Sequence, residues 1–383
     1  MEERKEIVRR FKQKGLSISK AVRLANMSRS SFYYKPCLGT PGRKPSTHTS
    51  MATGNVVSNE EIVNIIKELL QLDFVDYGYK KVTYWLNLLG FYISDDKVYR
   101  LMKENALLMT PLKKSPNRTF VKYTLALPQR PYELLEMDIK FIYVHDTGQN
   151  ALLLSVLDTF NRKVLAWKCS YSIRKADVLQ LIDQLIIEHL QPNDLLNKDI
   201  TVTVRSDNGS QFIAKMVKQS LRDNFIIQEF TRPATPQQNA HIESFHSIVK
   251  RLVQVKFEFD SLKHLNQVLS AFFDFYNNRR IHSSICYLFP ELFDWAYNKG
   301  YVKVSSTETK PHKRFSIILP SATLAEMYYF DNFAKSSKAE TGSAGEQPAR
   351  NSLMNWKNLG GEDSSPNFNK FFRFYMPKKT RVV

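Results

Sequence analysis

Cysteine is scarce, with only Cys37, Cys169 and Cys286 in 383 residues. Far apart, odd in number and without a Cys-x-x-Cys pair, they support neither a disulfide framework nor a thiolate zinc site. A reducing cytoplasm is the expected compartment. Long apolar runs are missing too. No stretch approaches the roughly 20 residues a membrane-spanning helix needs, and the start, Met1-Glu-Glu-Arg-Lys-Glu-Ile7, is charged and lacks the apolar core of a signal peptide. Acid is in deficit: 37 Asp and Glu stand against 55 Lys and Arg, a formal net charge of +18. That excess points to a polyanionic partner, nucleic acid ahead of a membrane.

What is present suffices for two or three domains with real cores, since 43% of the residues are hydrophobic and 12% aromatic. Residues 1–35 read as a basic helix-turn-helix-like segment. Residues 1–50 carry a net charge of +9, half that of the whole chain. Ser17 or Ser19 is a candidate cap, Asn26-Met-Ser28 a turn, and Arg29 to Tyr34 the start of a recognition helix. A small basic helical hairpin without a reading role is the plainer alternative. Residues 36–58, rich in Pro, Gly, Ser and Thr, read as a linker. Residues 59–107 read as a second helical DNA-binding unit, with stripes at Ile62, Ile65, Ile66, Leu69, Leu70 and at Val82, Trp85, Leu86, Leu89. Gly90 ends the second stripe, and Ser94 caps a third helical stretch from Val98 to Met102. Residues 108–130 are a basic connector. Residues 131–300 show three strand-like runs and then alternating helices and strands, an α/β fold with a mixed sheet similar to the ribonuclease H-like fold. Residues 301–334 form an extension. Residues 335–383 read as a disordered tail with a basic, aromatic end.

Three acids stand out in the α/β region. Asp207, in Ser-Asp-Asn-Gly after the run Thr201–Arg205, is followed by 35 residues, then Glu243, and seven residues later by Lys250. Asp138 interrupts the apolar run Leu134–Val144. Strand alternation places Leu135, Met137, Ile139, Phe141 and Tyr143 on one face and Glu136, Asp138 and Lys140 on a polar face. Glu243, His246, Ser247 and Lys250 share a helix face opposite Ile242, Phe245, Val249 and Leu252. Hard oxygen donors suit Mg²⁺, with Mn²⁺ as substitute, and two such ions about 4 Å apart serve phosphodiester chemistry. In that scheme Asp138 bridges both ions, and Asp207 and Glu243 each hold one. Taken singly, Asp207 is a turn residue and Glu243 a solvated helix charge, while an acid inside an apolar strand needs partners. Asp158 rivals Asp138, but reads as a residue bonding the turn after the second strand. His241, His246 and His282 read as polar surface or satisfied core groups, and no spacing favours zinc.

The ordered motifs resemble the orfB-type transposases of bacterial insertion sequences, members of the retroviral-integrase superfamily. They are Met27-Ser-Arg-Ser-Ser-Phe-Tyr-Tyr34, Asp76-Tyr-Gly-Tyr-Lys-Lys81, Lys97-Val-Tyr-Arg-Leu-Met102, Met137-Asp-Ile-Lys140, Ser155–Val164, Arg205-Ser-Asp-Asn-Gly-Ser-Gln-Phe212, Pro236–Phe245 and Tyr276-Asn-Asn-Arg-Arg-Ile-His282. The resemblance covers about residues 15–300. It implies a catalytic, metal-binding triad of Asp138, Asp207 and Glu243 with two Mg²⁺ ions, and Lys250 on DNA near the reacting phosphate. Arg29, Arg205 and Arg251 join Lys250 as candidate DNA contacts. It further implies cleavage at the 3′ ends of an element and transesterification into target DNA, by a homo-oligomer on paired double-stranded ends. An upstream-frame partner is expected, because no leucine-zipper heptads occur in the chain. Such a protein works in the cytoplasm, at the nucleoid. Arg-Ile-His departs from the family's usual Arg-Pro-His and leaves the local turn open. A hydrolytic ribonuclease H-like nuclease and a non-catalytic DNA-binding descendant are the rival readings. The two helical units weigh against the first, the complete triad against the second.

Overall fold

The computed structural model describes residues 2–35, 45–109, 128–197, 200–231, 239–305 and 314–341. The chain divides into two compact units, the first ending at Thr47. In the first, α1 (Glu2–Gln13), α2 (Ile18–Leu24) and α3 (Arg29–Tyr33) close on a small core of Val8, Ala21, Val22 and Ala25. Acids open α1 and bases close it, matching its dipole. Asn26 takes φ +48° in the turn, and Oγ of Ser28 accepts the N–H of Ser31 at 3.0 Å to cap α3. The helix expected to begin at Arg29 is a single turn; Tyr34 is already extended, ahead of Lys35 and Pro36.

The second unit opens with a correction. Residues 48–58, expected as linker, form a hairpin of β1 (His48–Ser50) and β2 (Val56–Ser58). Lys97 holds it, donating to the His48 carbonyl at 2.6 Å and to Oγ1 of Thr49 at 2.8 Å. Ser58 then caps α4 (Asn59–Leu70) in a reciprocal box with Glu61. α5 (Tyr79–Leu88) ends at Gly90, whose φ of +87° suits glycine. Oγ of Ser94 caps α6 (Asp95–Glu104). Residues 110–127 of the expected connector and 36–44 of the expected linker lie outside the described residues.

The α/β layer is a five-stranded sheet in the order β5-β4-β3-β6-β7. β3 (Leu134–Val144), β4 (Gln149–Asp158) and β5 (Val164–Ser170) run antiparallel; β6 (Val202–Ser206) joins β3 in parallel and β7 (Ile226–Phe230) joins β6 in parallel. Crossovers need helices. α7 (Lys175–Leu185), continued by a π turn at Ile186–Leu190, links β5 to β6, and α8 (Lys215–Asp223) links β6 to β7. This is the ribonuclease H-like arrangement expected from the order of strand and helix signals.

Both sheet faces are covered. Leu135, Met137, Leu154 and Val156 pack with α7 and α8. Ile142, Val144, Leu153 and Leu157 belong to a second core shared with α9 (Ala240–Val249), α10 (Leu262–Asn278) and the helices α4 to α6. The face of β3 expected to be polar is therefore a core face. On the supposedly apolar face cover stops at Ile139, leaving Phe141 and Tyr143 62% and 49% exposed. α9 runs on as a π turn, Lys250–Gln254. Beyond it lie α11 (Pro290–Asn298), a hairpin of β8 (Val302–Val304) and β9 (Phe315–Ile317), and α12 (Ser321–Thr341). α12 corrects the start of the expected disordered tail, since residues 335–341 are helical; residues 342–383, with the aromatic, basic end, lie outside the described residues. Among the described residues no helix is long and apolar enough to cross a membrane.

Ser58→Ala should remove the reciprocal cap of α4 and lower stability by about 1 kcal/mol. Urea titration reads this directly, and an unshifted midpoint would refute it.

Candidate active site

Sheet register positions the first two acids. β6 pairs with β3 only as far as Glu136 opposite Arg205. Asp138 lies two residues further along β3, and Asp207 follows the last residue of β6, at the carboxyl end of that strand, where α/β sheets open their sites. Asp138 is half-buried and pairs across β4 with Ser155. Its Oδ1 accepts the N–H of Ile139 at 2.8 Å, and its Oδ2 lies 3.4 Å from Nδ1 of His246. Nε2 of that histidine lies 3.3 Å from Oγ of Ser155. His246 is buried against the sheet, not on the outer helix face expected for it.

Glu243 is exposed in the first turn of α9. Partial burial, and then the negative charge of Asp138, push its carboxyl above the ordinary range, with His246 opposing. A carboxylate held beside a second negative charge is a site that a divalent cation relieves. Asp207 stands differently. It is exposed, and its Oδ1 accepts the N–H of Gly209 at 2.9 Å, while Asn208 bonds the Thr231 carbonyl at 2.8 Å. The turn reading of Asp207 is therefore physically satisfied. Among the described residues no three acids, histidines or cysteines are gathered closely enough to hold one ion. The structure brings Asp138 and Glu243 together and leaves Asp207 outside that pair. Residues 232–238, which lead into α9, are outside the described residues.

Glu136 was not singled out in the sequence. Only 2% exposed, its Oε2 accepts the N–H of Ile242 at 2.7 Å. Asn239, at the start of α9, makes no side-chain cap bond. A carboxylate from β3 thus satisfies the opening turn of the helix that carries Glu243. Burial pushes Glu136 up to about 7, against the pull of that N–H and of the charges on Arg162 and Arg205. The available signal was an acid two positions before Asp138 on the same strand face. Asp158 is a turn residue, as expected: fully buried, it accepts from the N–H groups of Tyr132 at 2.9 Å and Phe160 at 2.8 Å. Burial raises it to about 7, with Asp294 adding to the rise and the two N–H groups opposing it.

The candidate cations separate. Lys250 is exposed where α9 passes into its π turn. Lys140, also not singled out, is half-buried; burial and then the charge of Lys250 lower its pKa, while Asp138 raises it. Lys140 thus feels both Lys250 and Asp138. Arg205 is committed to Glu229, at 2.9 and 3.1 Å, and Arg251 to Asp76, at 2.6 and 2.8 Å. Arg29 is exposed in the first unit. Burial depresses His241 to about 3 and His282 well below its ordinary value, so neither supplies a cation at neutral pH. Ile281, where a proline was expected, donates its N–H to the Tyr77 hydroxyl at 3.2 Å, and the turn closes with the His282 N–H on the Leu288 carbonyl at 3.0 Å.

Residues 128–236 and 225–290 match the integrase core domain family, and residues 58–115 match an HTH-like domain. A 31.7 kDa protein of insertion element IS407 from Burkholderia multivorans is 24% identical over 73% of this chain and 90% of its own length. InsK, assigned as a transposase of insertion sequence element IS150 in Escherichia coli, is 24% identical over 71% of this chain and 92% of its own. Among solved structures, the catalytic core domain of BIV integrase is similar at 19% identity, covering 44% of this chain and 99% of that one, with a TM-score of 0.32.

Glu136→Ala should leave the Ile242 N–H unmet and cost about 1–3 kcal/mol, whereas Glu136→Gln, which keeps an acceptor oxygen, should cost less. Equal losses in urea titration would contradict the anchor. Asp158 holds a proton in the folded state that the unfolded chain has already released, so its contribution is complete below about pH 4 and lost as the pH rises to about 7. Asp158→Asn should flatten the pH dependence of stability in that window, and an unaltered profile would refute the assignment.

Proposed function

We propose that this chain, which carries an integrase core domain behind an HTH-like domain and is similar to proteins of insertion elements, is a DNA transposase that cuts the 3′ ends of its element and joins them to target DNA. The observation that carries the reading is the contact of Asp138 with His246 on the helix that also carries Glu243, whose carboxyl the charge of Asp138 raises, with Asp207 directly after the end of β6. Asp138, Asp207 and Glu243 form the triad, and together they would hold two Mg²⁺ ions, with Mn²⁺ as substitute. When bound, such ions activate a water or a 3′-hydroxyl and stabilise the leaving oxygen.

The remaining groups position and bind. His246, set between Ser155 and Asp138, limits the rotation of the Asp138 carboxylate. Lys250 takes the phosphate backbone beside the reacting bond, and Lys140 adds charge on the same flank. In cleavage, water oxygen attacks phosphorus and the bond to the 3′ oxygen breaks, leaving a 3′-hydroxyl. In joining, that hydroxyl attacks a target phosphodiester and expels another 3′ oxygen, so no oxidant or high-energy donor is required. The DNA partners are the element ends and the target. A homo-oligomer on paired ends, assisted by an upstream-frame partner, would act in the cytoplasm at the nucleoid.

Incubation with end DNA, Mg²⁺, target DNA and the partner should give joined products. Nicks without joining would overturn the transposase reading in favour of a hydrolytic nuclease. Asp207→Ala should weaken Mn²⁺ uptake in titration calorimetry, and unchanged uptake would remove Asp207 from the metal set. Lys250→Ala should lower the salt slope of end-DNA binding by about one; an unchanged slope would take Lys250 off the phosphate.

A further inference from the structure

The catalytic helix is held at its far end as well as at its start. Asp76 lies in the connection between α4 and α5, and its Oδ1 accepts from Nη1 of Arg280 at 2.8 Å. Its Oδ2 accepts from Nε of Arg251 at 2.8 Å and forms an ion pair with Nη2 at 2.6 Å. The side chains of Arg280 and Asp76 are 2% and 11% exposed, that of Arg251 42%. The surroundings lock this contact in place. The Tyr77 hydroxyl donates to the Arg279 carbonyl at 3.4 Å and accepts from the Ile281 N–H at 3.2 Å. The Phe74 ring packs on Phe257, Phe272 and Phe275, and Tyr84 stacks on Tyr287 with centroids 3.7 Å apart. Two motifs some two hundred residues apart in sequence, Asp76–Lys81 and Tyr276–His282, thus form one buried cluster.

Arg251 follows Lys250 directly and stands eight positions after Glu243 on the continuous helical run Ala240–Gln254. Its segment is a π turn, closed by the Val255 N–H on the Lys250 carbonyl at 3.0 Å. Such wide turns are uncommon and recur at functional sites. A guanidinium that both donates a hydrogen bond to a carboxylate and forms an ion pair with it restrains both direction and distance of the helix end. The carboxylate belongs to the part of the chain matched by the HTH-like domain.

We propose that Asp76 and Arg251 form a latch through which the HTH-like domain positions the C-terminal end of the catalytic helix, and with it Lys250 and Glu243. The latch rests on the reading that Glu243 and Lys250 act in strand transfer. Arg251 is then a positioning residue and not a DNA contact. A displacement of about 1 Å at a reacting group can cost on the order of 100-fold in rate, so small slack at this helix end is enough to matter.

The test uses Arg251→Ala in the full-length chain. Arg251 is partly exposed and its loss leaves the buried Asp76–Arg280 pair intact, whereas Asp76→Ala would strand Arg280. Amide hydrogen exchange should quicken across residues 249–255 and stay unchanged in β3 and β4. At saturating end DNA the joining rate should fall by roughly 10- to 100-fold, with the affinity for end DNA and its salt slope unaltered. Arg251→Lys, which retains one donor, should recover part of both losses. A salt slope lowered by about one would place Arg251 on a phosphate and overturn the latch. So would unchanged exchange at 249–255, or quickened exchange with a wild-type joining rate. Glu243→Gln separates the two readings: it should abolish joining while keeping wild-type exchange at 249–255. If Glu243→Gln still joins DNA, the active-site assignment fails, while the exchange result for Arg251→Ala still decides the latch.

Discussion

The bond from the Ile242 N–H to the Glu136 carboxylate ties the sheet to the helix α9, which carries Glu243. Helix starts carry unpaired N–H groups and partial positive charge, and here Asn239 supplies no side-chain cap. Because Glu136 lies two residues before Asp138 on β3, the register of the sheet is converted into the position of Glu243 on α9. The bond has a cost, visible in the rise of Glu136 to about 7 through burial. The charges of Arg162 and Arg205 offset part of it. Arg205 is thereby used twice within the fold, near Glu136 and on Glu229.

The same helix is restrained at both ends by unlike means. Its start is met by a buried acid from the sheet, its end by a half-exposed ion pair from the connection between α4 and α5. Between these points Ile242, Phe245 and Val249 are buried in a core that runs without a break into α4, α5 and α6. The HTH-like part of the chain is therefore packed against the core that also covers one face of the five-stranded sheet. Lys140 is half-buried and Lys250 exposed, and the charges of Lys250 and Asp138 act on Lys140 in opposite senses.

Much of this was legible along the chain. The cap at Ser94, the glycine at position 90, the apolar stripe of α9 and the order of strands all arise from local periodicity and turn chemistry, whereas Ser17, a candidate cap, makes no side-chain cap bond and the caps form at Ser28 and Ser58 instead. Other features were not. Alternation identified the two faces of β3 but not their cover, since which face is buried depends on helices far away in sequence. Phe141 and Tyr143 are exposed where the overlying helices stop, and Ile142 and Val144 are buried under the opposite layer. The hairpin at 48–58 was hidden by a turn-rich composition, and it is fixed by Lys97 from another element. His246 has the spacing of a surface residue, yet the sheet beneath it brings Ser155 and Asp138 to its ring.

The sequence by itself determined the class of fold and the identity of the candidate acids, because periodicity, caps and spacing are properties of neighbouring residues. Only the tertiary structure decided which of those acids meet. Asp138 and Glu243 are coupled through the anchor of α9 on β3, while Asp207 depends on where a parallel strand stops. Register, crossover and charge pairing join residues a hundred or more positions apart, as Glu136 with Ile242 and Asp76 with Arg251 show. Their free energies arise from burial and distance in space, for which the linear chain carries no local signal.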